Sequence, residues 1–130
     1  MDTVRQNKIL IIEDEDGMAQ LLKERLESVG YEVHTEASGK SGLSYAVEYR
    51  PNLVILDLKL PDMGGYDVCR ELRRLSSPWE IPVLMLTAMG QPIDQLRGFA
   101  HGADAYLTKP FEPTELLKTV ALLLGQVAIT

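Results

Sequence analysis

The chain has 130 residues, 45% hydrophobic and 25% charged, a balance that fits one globular domain and excludes a disordered or fibrous chain. Thirteen Lys and Arg stand against nineteen Asp and Glu, for a net charge of −6. That sign disfavours direct nucleic-acid binding, which needs a basic stripe, and suits a protein that handles a cation or meets a basic partner. The single cysteine, Cys69, can form no internal disulfide. No signal peptide or membrane-length apolar run is visible, so the expected address is the cytoplasm, with no membrane contact.

Two hydrophobic periods alternate along the chain. Ile9-Leu10-Ile11-Ile12 is a short apolar run of the kind found in strands buried on both faces. Met18, Leu21, Leu22, Leu26 and Val29 follow at helical spacing, with Gly30 as the stop. Tyr31 to Glu36 alternates as a second strand, and Leu43, Ala46 and Val47 mark a helix that ends before Pro51. Leu53-Val54-Ile55-Leu56 repeats the buried run. A turn at Pro61-Asp62-Met63-Gly64-Gly65 leads into a helix carrying Val68, Leu72 and Leu75. Val83-Leu84-Met85-Leu86 predicts a fourth strand, and a weaker fourth helix is expected over about Pro92 to His101. Ala105-Tyr106-Leu107 predicts a fifth strand, and Pro113 opens a last helix with Leu116, Leu117, Val120 and Leu123.

Strands alternating with helices imply an α/β fold: a doubly wound, five-stranded parallel sheet with helices on both faces. The flavodoxin-like order 2-1-3-4-5 is one common solution at this size. Ligands of such sheets bind beyond the carboxyl ends of the strands. There the sequence delivers Glu13 and Asp14 after strand one, Asp57 after strand three, Thr87 after strand four and Lys109 after strand five.

Three gathered carboxylates repel unless a cation relieves them. Mg²⁺ fits, since it takes oxygen ligands and is commonly held by one or two carboxylates plus a phosphate. Lys109 adds a fixed positive charge, and Thr87 a hydroxyl that can bond an oxyanion. An aspartate beside a metal and a lysine is a nucleophile toward phosphorus, giving an acyl phosphate. Each residue also has a plain structural reading, as a helix-terminal charge, a cap or a solvated tip, and Glu15 and Asp16 are read as no more than charges at a helix start. The constellation is what carries the signal.

Ile9-Leu10-Ile11-Ile12-Glu13-Asp14, Leu56-Asp57-Leu58-Lys59-Leu60-Pro61-Asp62-Met63-Gly64-Gly65, Leu86-Thr87-Ala88 and Gly102-Ala103-Asp104-Ala105-Tyr106-Leu107-Thr108-Lys109-Pro110-Phe111 together resemble the receiver domain of two-component response regulators. The resemblance covers about residues 8–124 and implies one receiver domain over 1–130. It implies that Asp57 is the phosphoacceptor, that Glu13, Asp14, Asp57 and the backbone carbonyl of Lys59 surround Mg²⁺, and that Lys109 pairs with the phosphoryl group. Thr87 and Tyr106 would form the switch, acting on the face built from the fourth helix, the fifth strand and the last helix. The donor would be a phosphohistidine on a sensor histidine kinase or a histidine phosphotransfer protein. The output would lie in an unknown domain or protein. Such a protein is a signalling module and not an enzyme, catalysing only its own phosphorylation and dephosphorylation.

Ala88, small and next to Thr87, leaves room for the phosphoryl group, and Lys109-Pro110 resembles the family's cis peptide. Three departures matter. Glu13 replaces a common Asp and, one methylene longer, is expected to bind metal through water. Ala105 replaces a frequent acid beside the switch tyrosine; this weakens the case for the family's usual dimer on that face, while a phosphorylation-dependent homodimer stays open. Lys59 and Met89, at positions that modulate hydrolysis, offer no group to orient water, so a long-lived phosphoryl state is expected.

Two rival classes share these features. One is a phosphatase of the haloacid-dehalogenase type, which wants a second Asp where Lys59 stands. The other is a pseudo-receiver binding module that is never phosphorylated, against which Asp14, Asp57, Thr87 and Lys109 argue. Gly39-Lys40-Ser41 lacks the leading glycine of a phosphate loop, with His34 in its place, and is discarded. Cys69 reads as core, His34 and His101 as surface residues, and Trp79 as a loop residue packing on the sheet edge.

Overall fold

A computed structural model describes residues 7–76, 80–88 and 102–125. The expected helix over about Pro92 to His101, Met89, Trp79, His101 and the tail after Gly125 lie outside the described residues. Among the described residues nine elements follow in chain order: β1 Lys8–Ile12, α1 Asp16–Glu27, β2 Glu32–Glu36, α2 Gly39–Tyr49, β3 Leu53–Asp57, α3 Gly65–Ser76, β4 Val83–Thr87, β5 Ala105–Thr108 and the last of them, here α4, Pro113–Leu123. All sheet pairings are parallel and the strand order is β2-β1-β3-β4-β5. This is the flavodoxin-like solution.

Side-chain alternation divides the core in two. Leu10, Ile12, Val54, Leu56, Val83 and Met85 face one side and pack with Ala46 of α2 and Val68, Cys69 and Leu72 of α3. Ile9, Ile11, Leu53, Ile55, Leu84, Leu86 and Leu107 face the other, against Leu22 and Leu26 of α1 and Leu116 and Val120 of α4. Every residue of β3 and β4 is buried, because both faces are covered.

The helix ends follow local chemistry. Gly30, at φ +103°, closes α1: its N–H bonds Glu27 O, and that of Tyr31 bonds Leu26 O, a Schellman pattern. Tyr31 thereby belongs to the turn, and β2 starts one residue later than its alternation predicts. The start of α2 is doubly capped. Ser38 Oγ accepts from Ser41 N, while Asp62, 23 residues away, accepts from Gly39 N at 2.7 Å and from Lys40 N at 2.9 Å. Gly39-Lys40-Ser41 thus has its first two amides engaged by an internal carboxylate and its third by the Ser38 hydroxyl, in keeping with its rejection as a phosphate loop.

Four apolar residues assigned to helix faces, Leu21, Val29, Val47 and Leu75, are exposed. Leu21, Val47 and Leu75 sit at the margins of stripes wider than the sheet can cover, whereas Val29 lies in the turn beyond the end of α1. His34 is also not a plain surface residue: it lies half-buried, stacked on Tyr45 with 3.8 Å between ring centroids. Cys69 is fully buried, and burial pushes its thiol up to about 11. Arg73 of α3 reaches across to the carbonyls of Ile81 and Gly102 and to the Asp104 carboxylate, which also accepts from Val83 N. This clamp ties α3 to the entries of β4 and β5.

Candidate functional site

The alternation that points Ile11, Ile55 and Leu107 to the α1/α4 side applies also two residues further along each chain. Those residues are Glu13, Asp57 and Lys109, so one parity rule delivers two carboxylates and an ammonium to the same side of the strand ends. The structure brings them together. Lys109 Nζ donates to Asp57 Oδ1 at 3.0 Å and to Glu13 Oε1 at 3.1 Å. Glu13 is 4% exposed and Asp57 7%. The Lys109 backbone is anchored as well, its N–H bonding Thr87 O at 2.6 Å. The Lys109–Pro110 peptide is cis, as the resemblance implies.

Asp14, exposed beside Glu13, completes an acidic group: Glu13, Asp14 and Asp57 each place one oxygen within 4.8 Å of the others. Burial raises the Glu13 pKa above the ordinary glutamate value and the charge of Asp57 raises it further; the Glu15 N–H and Lys109 only partly offset this. Burial also works against the Lys109 ammonium, but hydrogen bonds and charge from Asp57 and Glu13 outweigh it and hold its pKa high. The pocket is anionic beyond what one lysine neutralises. Hard oxygen donors with excess negative charge fit a divalent cation such as Mg²⁺.

Thr87 is 2% exposed at the end of β4. Its parity follows Met85, whose register partner is Tyr106, so Thr87 and Tyr106 share the α2/α3 side of the sheet, where Tyr106 is half-buried. Ala88 is exposed immediately after Thr87. Lys59 is exposed in the loop after β3, where its backbone bridges to Gly64. Met89 lies outside the described residues.

Two supporting residues escaped the reading of the sequence. Gly65 packs so closely on the end of β3 that a Cβ there would lie 2.7 Å from Asp57 O and Leu58 Cα. Asp62 joins the same loop to α2. A Gly-Gly pair announced a turn, but nothing local announces a close approach to the backbone of Asp57.

The arrangement defines a class of protein: a doubly wound parallel sheet with an acidic, lysine-bridged pocket at its carboxyl edge. The family model of the response regulator receiver domain matches residues 9–121, and the chain belongs to that family, the signal-receiving part of two-component systems. It is 47% identical over 117 residues to the DNA-binding dual master transcriptional regulator RpaA of Synechocystis sp., covering 90% of this chain and 48% of that protein. The chain thus spans about half the length of the curated relatives it matches. Among solved structures it is similar to chemotaxis protein CheY4 of Vibrio cholerae, with TM-score 0.86 and 34% identity over 92% of this chain and 99% of that one. A CheY-like receiver domain protein of Methanospirillum hungatei gives TM-score 0.87 at 30% identity, covering 94% and 96%. Response regulators are signalling proteins. No helix of the described residues is long and apolar enough to cross a membrane.

Proposed function

We propose that residues 1–130 form one receiver domain in which Asp57 accepts a phosphoryl group from the phosphohistidine of a sensor histidine kinase or a histidine phosphotransfer protein. A carboxylate oxygen of Asp57 bonds to phosphorus as the donor's N–P bond breaks and its electron pair returns to the ring nitrogen, leaving an acyl phosphate on Asp57 and, with the proton held on the other ring nitrogen, a neutral imidazole on the donor. The observation that carries this reading is the Lys109 ammonium held between the buried carboxylates of Asp57 and Glu13.

Glu13, Asp14, Asp57 and the backbone carbonyl of Lys59 would hold Mg²⁺, which when bound supplies positive charge to the phosphoryl oxygens. Lys109 keeps its ammonium beside Asp57 and passes its hydrogen bond to the new phosphoryl oxygen. Thr87 donates its hydroxyl to another. Ala88, with only a methyl group, leaves the approach open.

The added charge of about −1.5 to −2 draws Thr87 and Lys109 toward Asp57. Tyr106, on the same side of the sheet as Thr87, fills the space that the threonine vacates. This repacks the face formed by β5, α4 and the segment preceding β5. With Lys59 offering no carboxylate or amide to orient water, and Met89 likewise, the acyl phosphate decays slowly; Lys59→Asn should shorten its lifetime. The relative's description as a DNA-binding regulator supports an output on transcription, exercised by a part or partner other than this acidic domain.

The test is the intact mass of wild type and Asp57→Asn after incubation with acetyl phosphate and Mg²⁺. Wild type should gain one phosphoryl group (HPO₃) and the variant none. An unmodified wild type would favour a pseudo-receiver.

A further inference from the structure

At the opposite side of the sheet from β5, the edge strand β2 and helix α2 carry a surface that phosphoryl chemistry does not use. Three rings form a continuous stack there. His34 lies on Tyr45 at 3.8 Å with 6° between planes, and Tyr45 meets Tyr49 at 4.5 Å with a 32° tilt. Tyr49 is 54% exposed. The stack borders an open groove of ≈ 520 Å³ whose lining includes His34, Glu36, Tyr45, Glu48 and Tyr49.

The charges of the groove are one-sided. Glu36 and Glu48 line it, with no Lys or Arg among its lining residues. Glu36 Oε2 lies 2.5 Å from His34 Nε2, which braces the imidazole at the half-buried end of the stack. Burial raises the Tyr45 pKa, and Glu32, Tyr49 and Glu36 raise it further, so the carboxylates of β2 are felt at that ring. Aromatic faces framed by carboxylates attract a cation on both counts, through the ring quadrupole and through ion pairing. A planar guanidinium suits such a surface better than an ammonium, since it can stack on a ring while forking to a carboxylate.

We propose that this β2–α2 groove docks an arginine-bearing segment of a protein partner, the guanidinium lying on the exposed Tyr49 ring that ends the stack and pairing with Glu36 and Glu48. A second copy of the chain is disfavoured as occupant, because each copy carries a net charge of −6 and would bring like charge to an acidic face. Nucleic acid is disfavoured on the same ground. The proposal is independent of phosphoryl transfer, since none of these residues belongs to the acidic pocket.

The test is a titration of the ¹⁵N-labelled full chain, followed by amide shifts, with a blocked peptide carrying three arginines and with its three-lysine counterpart. Saturable shifts centred on His34, Tyr45, Glu48 and Tyr49 are expected, with the arginine peptide binding about threefold or more tightly than the lysine one. Tyr49→Ala and Glu48→Gln, both at exposed positions and each checked for an undisturbed spectrum, should weaken binding by about threefold or more. Shifts that centre on Asp14 and Asp57, equal binding of the two peptides, or affinity unchanged in both variants would overturn the proposal. So would saturable binding of a duplex DNA at the groove, or self-association that Glu48→Gln strengthens.

Discussion

Lys109 and Asp57, 52 residues apart in sequence, meet at 3.0 Å because strands β5 and β3 end at the same edge of the sheet with the same side-chain parity. The ammonium is the compensating charge for a pocket with more carboxylates than cations. Lys109→Met should therefore leave Asp57 and Glu13 buried against each other and cost about 1–3 kcal/mol at neutral pH with chelator present. Adding Asp57→Asn to it should recover part of that loss, because one of the repelling charges is gone. Urea denaturation of the two variants and wild type checks both points. A Lys109→Met protein as stable as wild type would show that the pair carries no weight.

Gly65 supplies a steric prediction. Gly65→Ala drives a Cβ against the backbone of Asp57 and Leu58, which cannot rotate away, and should cost about 1–3 kcal/mol while slowing modification of Asp57. Gly17→Ala is the control. Nothing lies within 4 Å of its added Cβ, so it should gain up to about 1 kcal/mol from helix propensity. Thermal unfolding of the two variants should move in opposite directions.

Asp62 gives a pH dependence of known sign. Its bonds from the Lys40 and Gly39 amides lower its pKa below the ordinary value of 3.8. A carboxylate lowered on folding stabilises the native state above its unfolded pKa, and that contribution is lost as pH falls through the folded value. Asp62→Asn should therefore be less stable than wild type at neutral pH, with the gap constant down to about pH 5 and closing below 3.8. Denaturation midpoints across that range check it. A gap that widens on acidification would contradict the capping role.

Much of the fold was legible in the chain because its strands are buried on both faces and read as unbroken apolar runs. Ile9 to Ile12, Leu53 to Leu56 and Val83 to Leu86 could hardly be anything else. The pocket was legible for a related reason: in a parallel sheet every strand ends at one rim, so Glu13, Asp57, Thr87 and Lys109 converge once the strands are placed. What escaped was set by pairs distant in sequence. Asp62 caps a helix 23 residues upstream, and Arg73 grips carbonyls beyond its own element. His34 alternates like a surface residue, yet Tyr45 covers it. Helical spacing alone also cannot tell which margin of a stripe the sheet leaves bare, as at Leu21, Val47 and Leu75.

Reduction of freshly phosphorylated protein with borohydride, followed by peptide mapping, puts the question to a single side chain. An acyl phosphate on Asp57 is reduced to homoserine, so the peptide spanning β3 should carry homoserine at position 57, and only in samples given both phosphoryl donor and Mg²⁺. Homoserine at Asp14 or at another aspartate, with Asp57 intact, would contradict the assignment of the acceptor.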